Sequence, residues 1–186
     1  MITIAQNPVR GLRRERNKGF SLIELLIVVA IILIIAAIAI PQLLNARMAA
    51  NGGAAAETIR TITTASMAYS STWQNGYPPS LAALGGPSGV FTPTCDQALL
   101  LDPIVSTAPY TKSGYVFGYT GSGTIPAPPA GCSAAGSTGY LVTATPVVYK
   151  LSGITSYCSD EPGTIHYDTT GATPASEIAC EALPTL

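Results

Sequence analysis

One carboxylate, Glu24, stands inside the longest apolar run of the chain, Phe20 to Ile40, which reads FSLIELLIVVAIILIIAAIAI and holds no other charge. A carboxylate at the centre of a hydrocarbon layer costs about 2.5–3.5 kcal/mol, so it normally has a partner or reaches the interface. No base lies on the run itself. A cut between Gly19 and Phe20 would supply one, because the new α-amine would lie one helical turn before Glu24, within reach of the same chain or of a neighbouring copy. At about 4 Å and an effective dielectric of 20, such a pair gains about 4 kcal/mol before desolvation. The chemistry that these residues point to is peptide cleavage followed by charge pairing.

The other reactive residue types are sparse. Cys95, Cys132, Cys158 and Cys180 are even in number and allow three disulfide connectivities. Cys95–Cys132 with Cys158–Cys180 is the preferred pairing, because neighbouring loops then close independently and the second bridge ties down the C-terminal tail. Each closure is worth about 3–4 kcal/mol by loop length. Zinc is the competing use, but there is no C-x-x-C pair and His166 is the only histidine. With no serine or cysteine motif around it, His166 reads as a strand residue and not as a general base, and the chain is expected to be no enzyme and to need no cofactor. Asp160, Glu161 and Asp168 are oxygen donors of the kind calcium takes, and Asp160 and Asp168 are weak candidates for it. Their spacing matches no calcium loop, and a solvated turn at Pro162-Gly163 is the preferred reading. Gly121-x-Gly123 lacks the strand and helix that a phosphate cradle needs.

The elements that must position these residues follow from charge and hydropathy. Only 10% of the 186 residues are charged and 47% are apolar, against roughly 25% charged for an ordinary soluble domain. A charge-rich disordered chain is excluded. The net charge of −1 leaves no cation surplus for a nucleic-acid partner. Five of the nine bases (Arg10, Arg13, Arg14, Arg16, Lys18) crowd into the first 19 residues beside one acid, Glu15, a net +4; the remainder has four bases against nine acids, a net −5. The apolar run begins where the basic segment ends. Its 21 residues span about 31 Å as a helix, enough for a bilayer core of about 30 Å, and the basic flank keeps residues 1–19 in the cytoplasm. A cleaved secretory signal is the first alternative, with Ala37-Ile38-Ala39 as its processing site, but the run is too long for one and the acid at its start serves no purpose there. Arg13-Arg14 makes a poor twin-arginine signal, since charge and Asn follow it. A plain membrane anchor explains the length and leaves the Gly-Phe junction and Glu24 without a role.

The segment Lys18-Gly19-Phe20-Ser21-Leu22-Ile23-Glu24-Leu25-Leu26 resembles the cleavage and methylation motif of type IV pilins and type II secretion pseudopilins. The resemblance implies that a membrane-bound prepilin peptidase cuts after Gly19 and N-methylates Phe20. It also implies that Glu24 pairs with a neighbour's amine during assembly, and that Pro41 is the proline found at the end of the apolar segment. It covers about the first 55 residues.

Past Pro41 the pattern stays helical. Leu44, Met48, Ala55, Ile59, Ile62, Ser66, Tyr69 and Trp73 are candidate core positions on one face, with Arg47, Glu57 and Arg60 off it. Pro41 should kink or loosen the helix, and Gly52-Gly53 is a second soft place. Asn75-Gly76-Tyr77-Pro78-Pro79 ends it. A single chain cannot bury the first half of this helix: lipid covers it in a membrane, and outside only other copies can, which by repetition of one head-to-tail contact gives an open filament.

From residue 75 the chain reads as a loop-rich head. A short helix is expected over 79–84, with Ser80 as cap and Gly85-Gly86 as stop. Strands are expected at 114–119, 140–145 and, more weakly, 164–167, with Pro146 at a strand end and 121–139 as a surface loop. The expected fold is α+β: a long kinked helix packed on a small antiparallel sheet, with a disulfide-closed C-terminal region. This order resembles the pilin and pseudopilin globular domain through the SGYVFGY and YLVTATP stretches. The expected organisation is a removable leader at 1–19, a membrane and filament-core helix at 20–40, its amphipathic continuation at 41–74, and the head at 75–186. The resemblance implies a structural subunit held in the inner membrane and then assembled into a surface pilus for adhesion, motility or DNA uptake. The partners it implies are the prepilin peptidase, an inner-membrane assembly platform, the membrane and other pilin copies. Two alternatives stand beside it: a pseudopilin forming a short periplasmic pseudopilus, and a membrane-anchored binding module that never polymerises.

Overall fold

The computed structural model describes residues 19–186 except 88, 90 and 162. The chain divides into two compact units at the Pro41–Gln42 bond. In the first unit, helix α1 (Leu22–Trp73) begins just after the Gly-Phe junction and is long and apolar enough to cross a membrane. Every residue from Gly19 to Arg47 is exposed except the half-buried Ala36. The helical assignment runs through Pro41 without a break.

In the second unit the continuation of α1 turns amphipathic and buries Ala55, Ile59, Ile62, Ala65 and Tyr69. Two polar residues on that buried face satisfy themselves on the helix: the hydroxyls of Thr58 and Ser66 donate to the carbonyls of Ala54 and Ile62 one turn back, whereas the buried Thr63 hydroxyl makes no such bond. Of the expected core positions, Ala55 through Tyr69 are buried and Met48 and Trp73 are half-buried, but Leu44 is exposed. The reason is that the head supplies nothing to cover the face that far toward the N-terminus; its nearest contact region is with residues 45–52. Gln74 in the left-handed region and Gly76 (φ 62°) turn the chain out of the helix.

The head is a five-stranded antiparallel meander in sequence order: β1 (Thr111–Lys112), β2 (Tyr115–Ser122), β3 (Gly139–Pro146), β4 (Ser156–Ser159) and β5 (Ile165–Asp168). The long β2–β3 pair runs in unbroken register from Tyr115↔Pro146 to Ser122↔Gly139. Alternation presents Tyr115 and Phe117 of β2, and Tyr140, Val142 and Ala144 of β3, to the core that they share with α1. Pro146 ends β3 as expected, and β2 runs three residues further than expected, into the stretch read as loop.

Three short helices complete the head. Helix α2 (Leu81–Leu84) follows Ser80, whose hydroxyl makes no capping bond, a correction to its expected role; Gly85 ends it. Helix α3 (Pro103–Ser106) is capped by Asp102, whose carboxylate accepts the Ile104 N–H at 2.7 Å. Helix α4 (Glu177–Glu181) is capped by Ser176. The disulfides join Cys95 to Cys132 and Cys158 to Cys180, with Cα separations of 5.1 and 6.0 Å, in the preferred pairing. The second holds α4 against β4. This is the α+β, pilin-like architecture expected from the sequence, with a long apolar N-terminal helix and a disulfide-closed C-terminal region.

Candidate functional site

The residues of the Gly-Phe junction occupy the start of α1. Gly19 and Phe20 precede the helix, and Phe20 is 83% exposed. A Cβ added at Gly19 would meet nothing within 4 Å. Among the described residues, nothing crowds a larger side chain at this position. Ser21 immediately precedes the helix, and its backbone N–H donates to the Glu24 carboxylate at 3.0 Å. Ser21-x-x-Glu24 is thus half of a capping box: the third helical residue reaches back to an amide that the helix leaves unpaired. The Ser-x-x-Glu spacing carries that signal in the sequence, and the charge argument for Glu24 does not draw on it. The carboxylate has two oxygens, so the capping bond leaves one free for an amine.

A second cluster of chemistry lies in the head. Tyr77, Asp160, Glu161, Glu177 and Glu181 line one pocket. Its acids come from the β4–β5 turn and from α4, brought together by the Cys158–Cys180 bridge. The Tyr77 hydroxyl donates to Glu161 at 3.3 Å and the Ser122 hydroxyl to Glu177 at 2.5 Å. Asp160 is only 2% exposed, and neither of its carboxylate oxygens has a hydrogen-bond partner. Burial pushes its pKa above the usual carboxylate range; its own backbone N–H and His166 oppose the rise, while Glu181 and Glu177 add to it. Beneath the pocket, Tyr140 packs edge-on against Tyr77 at 4.8 Å and stacks on Tyr119 at 5.6 Å. Burial pushes the Tyr140 hydroxyl up to about 12.

The structure separates the two calcium candidates. Asp160 follows β4 at the Ser159↔Ile165 end of the β4–β5 ladder, whereas Asp168 pairs with Ser156 at the other end. The carboxylate of Asp168 accepts the backbone N–H and the hydroxyl of Thr170, each at 2.8 Å. Among the described residues, no group of three His, Cys, Asp or Glu side chains is placed to hold a metal ion. His166 sits in β5, buried, with Nδ1 at 2.7 Å from the Leu183 carbonyl, where it ties the C-terminal tail to the sheet. Gly121 lies within β2.

Residues 14–40 match the prokaryotic N-terminal methylation motif. The chain carries the signature of a prepilin. The matched stretch takes in Arg14, Arg16 and Lys18 of the basic flank, the Gly-Phe junction, Glu24 and the apolar run, and it ends one residue before Pro41. This prepilin signature is shared by type IV pilins and pseudopilins, and it implies in general terms a chain processed by prepilin peptidase, anchored by its helix and used in a polymer. The head lies outside the match. No curated protein and no solved structure matches the chain.

Proposed function

We propose that this chain is the structural subunit of a type IV pilus. Residues 1–19 are the cytoplasmic leader, 20–40 the span that becomes filament core, 41–74 its continuation and 75–186 the head. Prepilin peptidase cuts between Gly19 and Phe20 and methylates the Phe20 amine. The mature subunit waits in the inner membrane and is drawn into the filament by an assembly platform, with Glu24 pairing with the amine of a neighbouring copy. The observation that carries this reading is the junction Gly19-Phe20-Ser21-Leu22-Ile23-Glu24 placed at the start of a helix whose apolar residues have no cover within the chain. Two disulfides in a small head favour a fibre exposed outside the cell.

Mass spectrometry of material sheared from the cell surface tests the reading. A peptide beginning at N-methylated Phe20 is expected. Recovery of that peptide only from the envelope, with none in the sheared fraction, would assign the chain to a periplasmic pseudopilus. An uncut chain as the sole species would overturn both. Because Glu24 also caps its helix, two substitutions separate its tasks: Glu24→Gln keeps an oxygen for the Ser21 amide and removes the charge, and Glu24→Ala removes both. If amine pairing drives assembly, both variants are processed normally and both lose at least about tenfold in filament yield, since the pair gains about 4 kcal/mol before desolvation. Normal filaments from Glu24→Gln would refute the pairing.

A further inference from the structure

Three bases lie near one end of the head and four acids line a pocket at the other, while Glu57, Arg60, Asp96 and Asp102 belong to neither group. Residues 45–52 of α1 lie beside Tyr115, Ile154, Thr155 and Tyr157, and the Asn51 amide donates to the Ser152 carbonyl at 2.8 Å. At this end the β1–β2 hairpin carries Lys112, the β3–β4 connection carries Lys150, and α1 carries Arg47. These are three of the four bases downstream of Gly19. Asp168, at the end of β5 that pairs with Ser156, already accepts two hydrogen bonds from Thr170. At the opposite end, Thr63 and Met67 of α1 approach the Gly163 turn and Tyr77 bonds to Glu161. That end holds the pocket of Asp160, Glu161, Glu177 and Glu181, with no base in its lining.

The acidic pocket is unfinished within one chain. A buried carboxylate is unfavourable unless it is paired or hydrogen-bonded, and Asp160 is buried with neither oxygen bonded. A cation held from outside by the exposed Glu161 and Glu181 would lower the cost of its charge. The chain itself presents one: Lys150 is exposed, at the turn that leads out of β3, at the far end of the same sheet. Travel along residues 45–73 of α1 leads from the basic end to the acidic end. A second copy displaced along that direction therefore brings its basic end to the first copy's acidic end, and one such contact repeated without closure builds a line of copies.

We propose that the acidic pocket is the socket for the basic end of a second copy of this chain, with the Lys150 ammonium meeting the exposed carboxylates of Glu161 and Glu181 beside the enclosed Asp160. The proposal rests on the polymer reading above and adds to it a contact between heads, separate from the packing of apolar helices. Opposite charges at the two ends set the polarity of stacking, and like ends repel.

Charge reversal in the full chain, expressed in cells that assemble it, tests the proposal. Lys112→Glu with Lys150→Glu reverses one end; Glu161→Lys with Glu181→Lys reverses the other, both at exposed positions. Each pair alone is expected to lower the yield of sheared filaments by at least about tenfold, and the four changes together to restore it to within about threefold. Thiol labelling of the denatured membrane fraction, which reads both disulfides, verifies that every variant folds. Unchanged yields from both single-end variants, or no restoration by the fourfold variant when its disulfides are formed, would overturn the socket. Dispersal of wild-type filaments by EDTA with recovery on added calcium, alongside indifference to charge reversal, would give the pocket to a divalent cation instead. Wild-type filaments with indifferent variants would sink only the head contact. Absence of wild-type filaments would remove the polymer reading, and this one with it.

Discussion

At the scale of single residues, Asp160 concentrates the tension in the head. It shares a pocket with Tyr77, Glu161, Glu177 and Glu181; burial and the charges of Glu181 and Glu177 disfavour its ionised form, and its own backbone N–H and His166 favour it. Its pKa is raised in the native state, so the folded chain holds the proton more tightly than the unfolded chain does. The stability linked to that proton is fully present below the ordinary aspartate value of 3.8 and is lost as pH rises through the raised value. An isolated subunit at neutral pH therefore carries an uncompensated cost at this site. Asp160→Asn removes the charge while keeping the shape. It should stabilise the mature chain in detergent by about 1 kcal/mol at pH 7, the lower end of the cost of a buried unsatisfied group. It should also flatten the pH dependence of the unfolding midpoint on the acid side. A lower midpoint for the variant at pH 7 would show that Asp160 has a stabilising partner within its own chain.

At the scale of elements, the two adjacent glycines of α1 have opposite surroundings. From sequence, Gly52-Gly53 reads as one soft place, since each glycine costs a helix about 1 kcal/mol relative to alanine. In the fold, Gly52 is where the sheet comes closest: a Cβ there would lie 2.8 Å from the Tyr157 hydroxyl and 3.6 Å from that of Tyr115. Gly53 faces open space, with nothing within 4 Å of an added Cβ. Gly53→Ala should therefore recover the full helix term of about 1 kcal/mol. Gly52→Leu should destabilise by about 1–3 kcal/mol, because a bulky side chain would have to displace both tyrosines. Thermal unfolding of the two variants checks the contrast; equal shifts would mean that α1 does not approach the sheet at Gly52. A lone pair of glycine letters carries no record of which one faces a partner, which is why the sequence could not tell them apart.

At the scale of the whole molecule, legibility divides by the length of the pattern that each part leaves. The apolar run, the Gly-Phe junction and the amphipathic face from Ala55 to Tyr69 were readable because they extend over many residues with one period. The eight-residue strands β2 and β3 were readable in outline from their aromatic and β-branched residues. The two-residue β1, the four-residue β4 and the one-turn α4 were not, since tertiary contacts and the Cys158–Cys180 bridge hold them more than local preference does. The acidic pocket was invisible for the same reason, its acids lying in a turn and in a helix that only the fold brings together.

The proposed leader would act on the fate of the molecule as a whole. Extraction of an uncut chain from the membrane would draw Arg10, Arg13, Arg14, Arg16 and Lys18 through the hydrocarbon layer after the apolar helix. At about 2.5–3.5 kcal/mol per charge at the bilayer centre, that barrier is on the order of 10 kcal/mol or more. Cleavage at the proposed Gly19–Phe20 junction would remove it in one step and would leave a net −5 subunit whose helix exits behind nothing more than an amine. Gly19→Val adds bulk where the folded chain has open space, so it should leave the fold intact and block only the cut. The expected product is a full-length chain that fractionates with membranes, with both disulfides formed and no subunit in sheared material. Filaments built from chains that still carry Arg10 to Lys18 would show that the leader does not hold the span in place, and the link between cleavage and release would have to be abandoned.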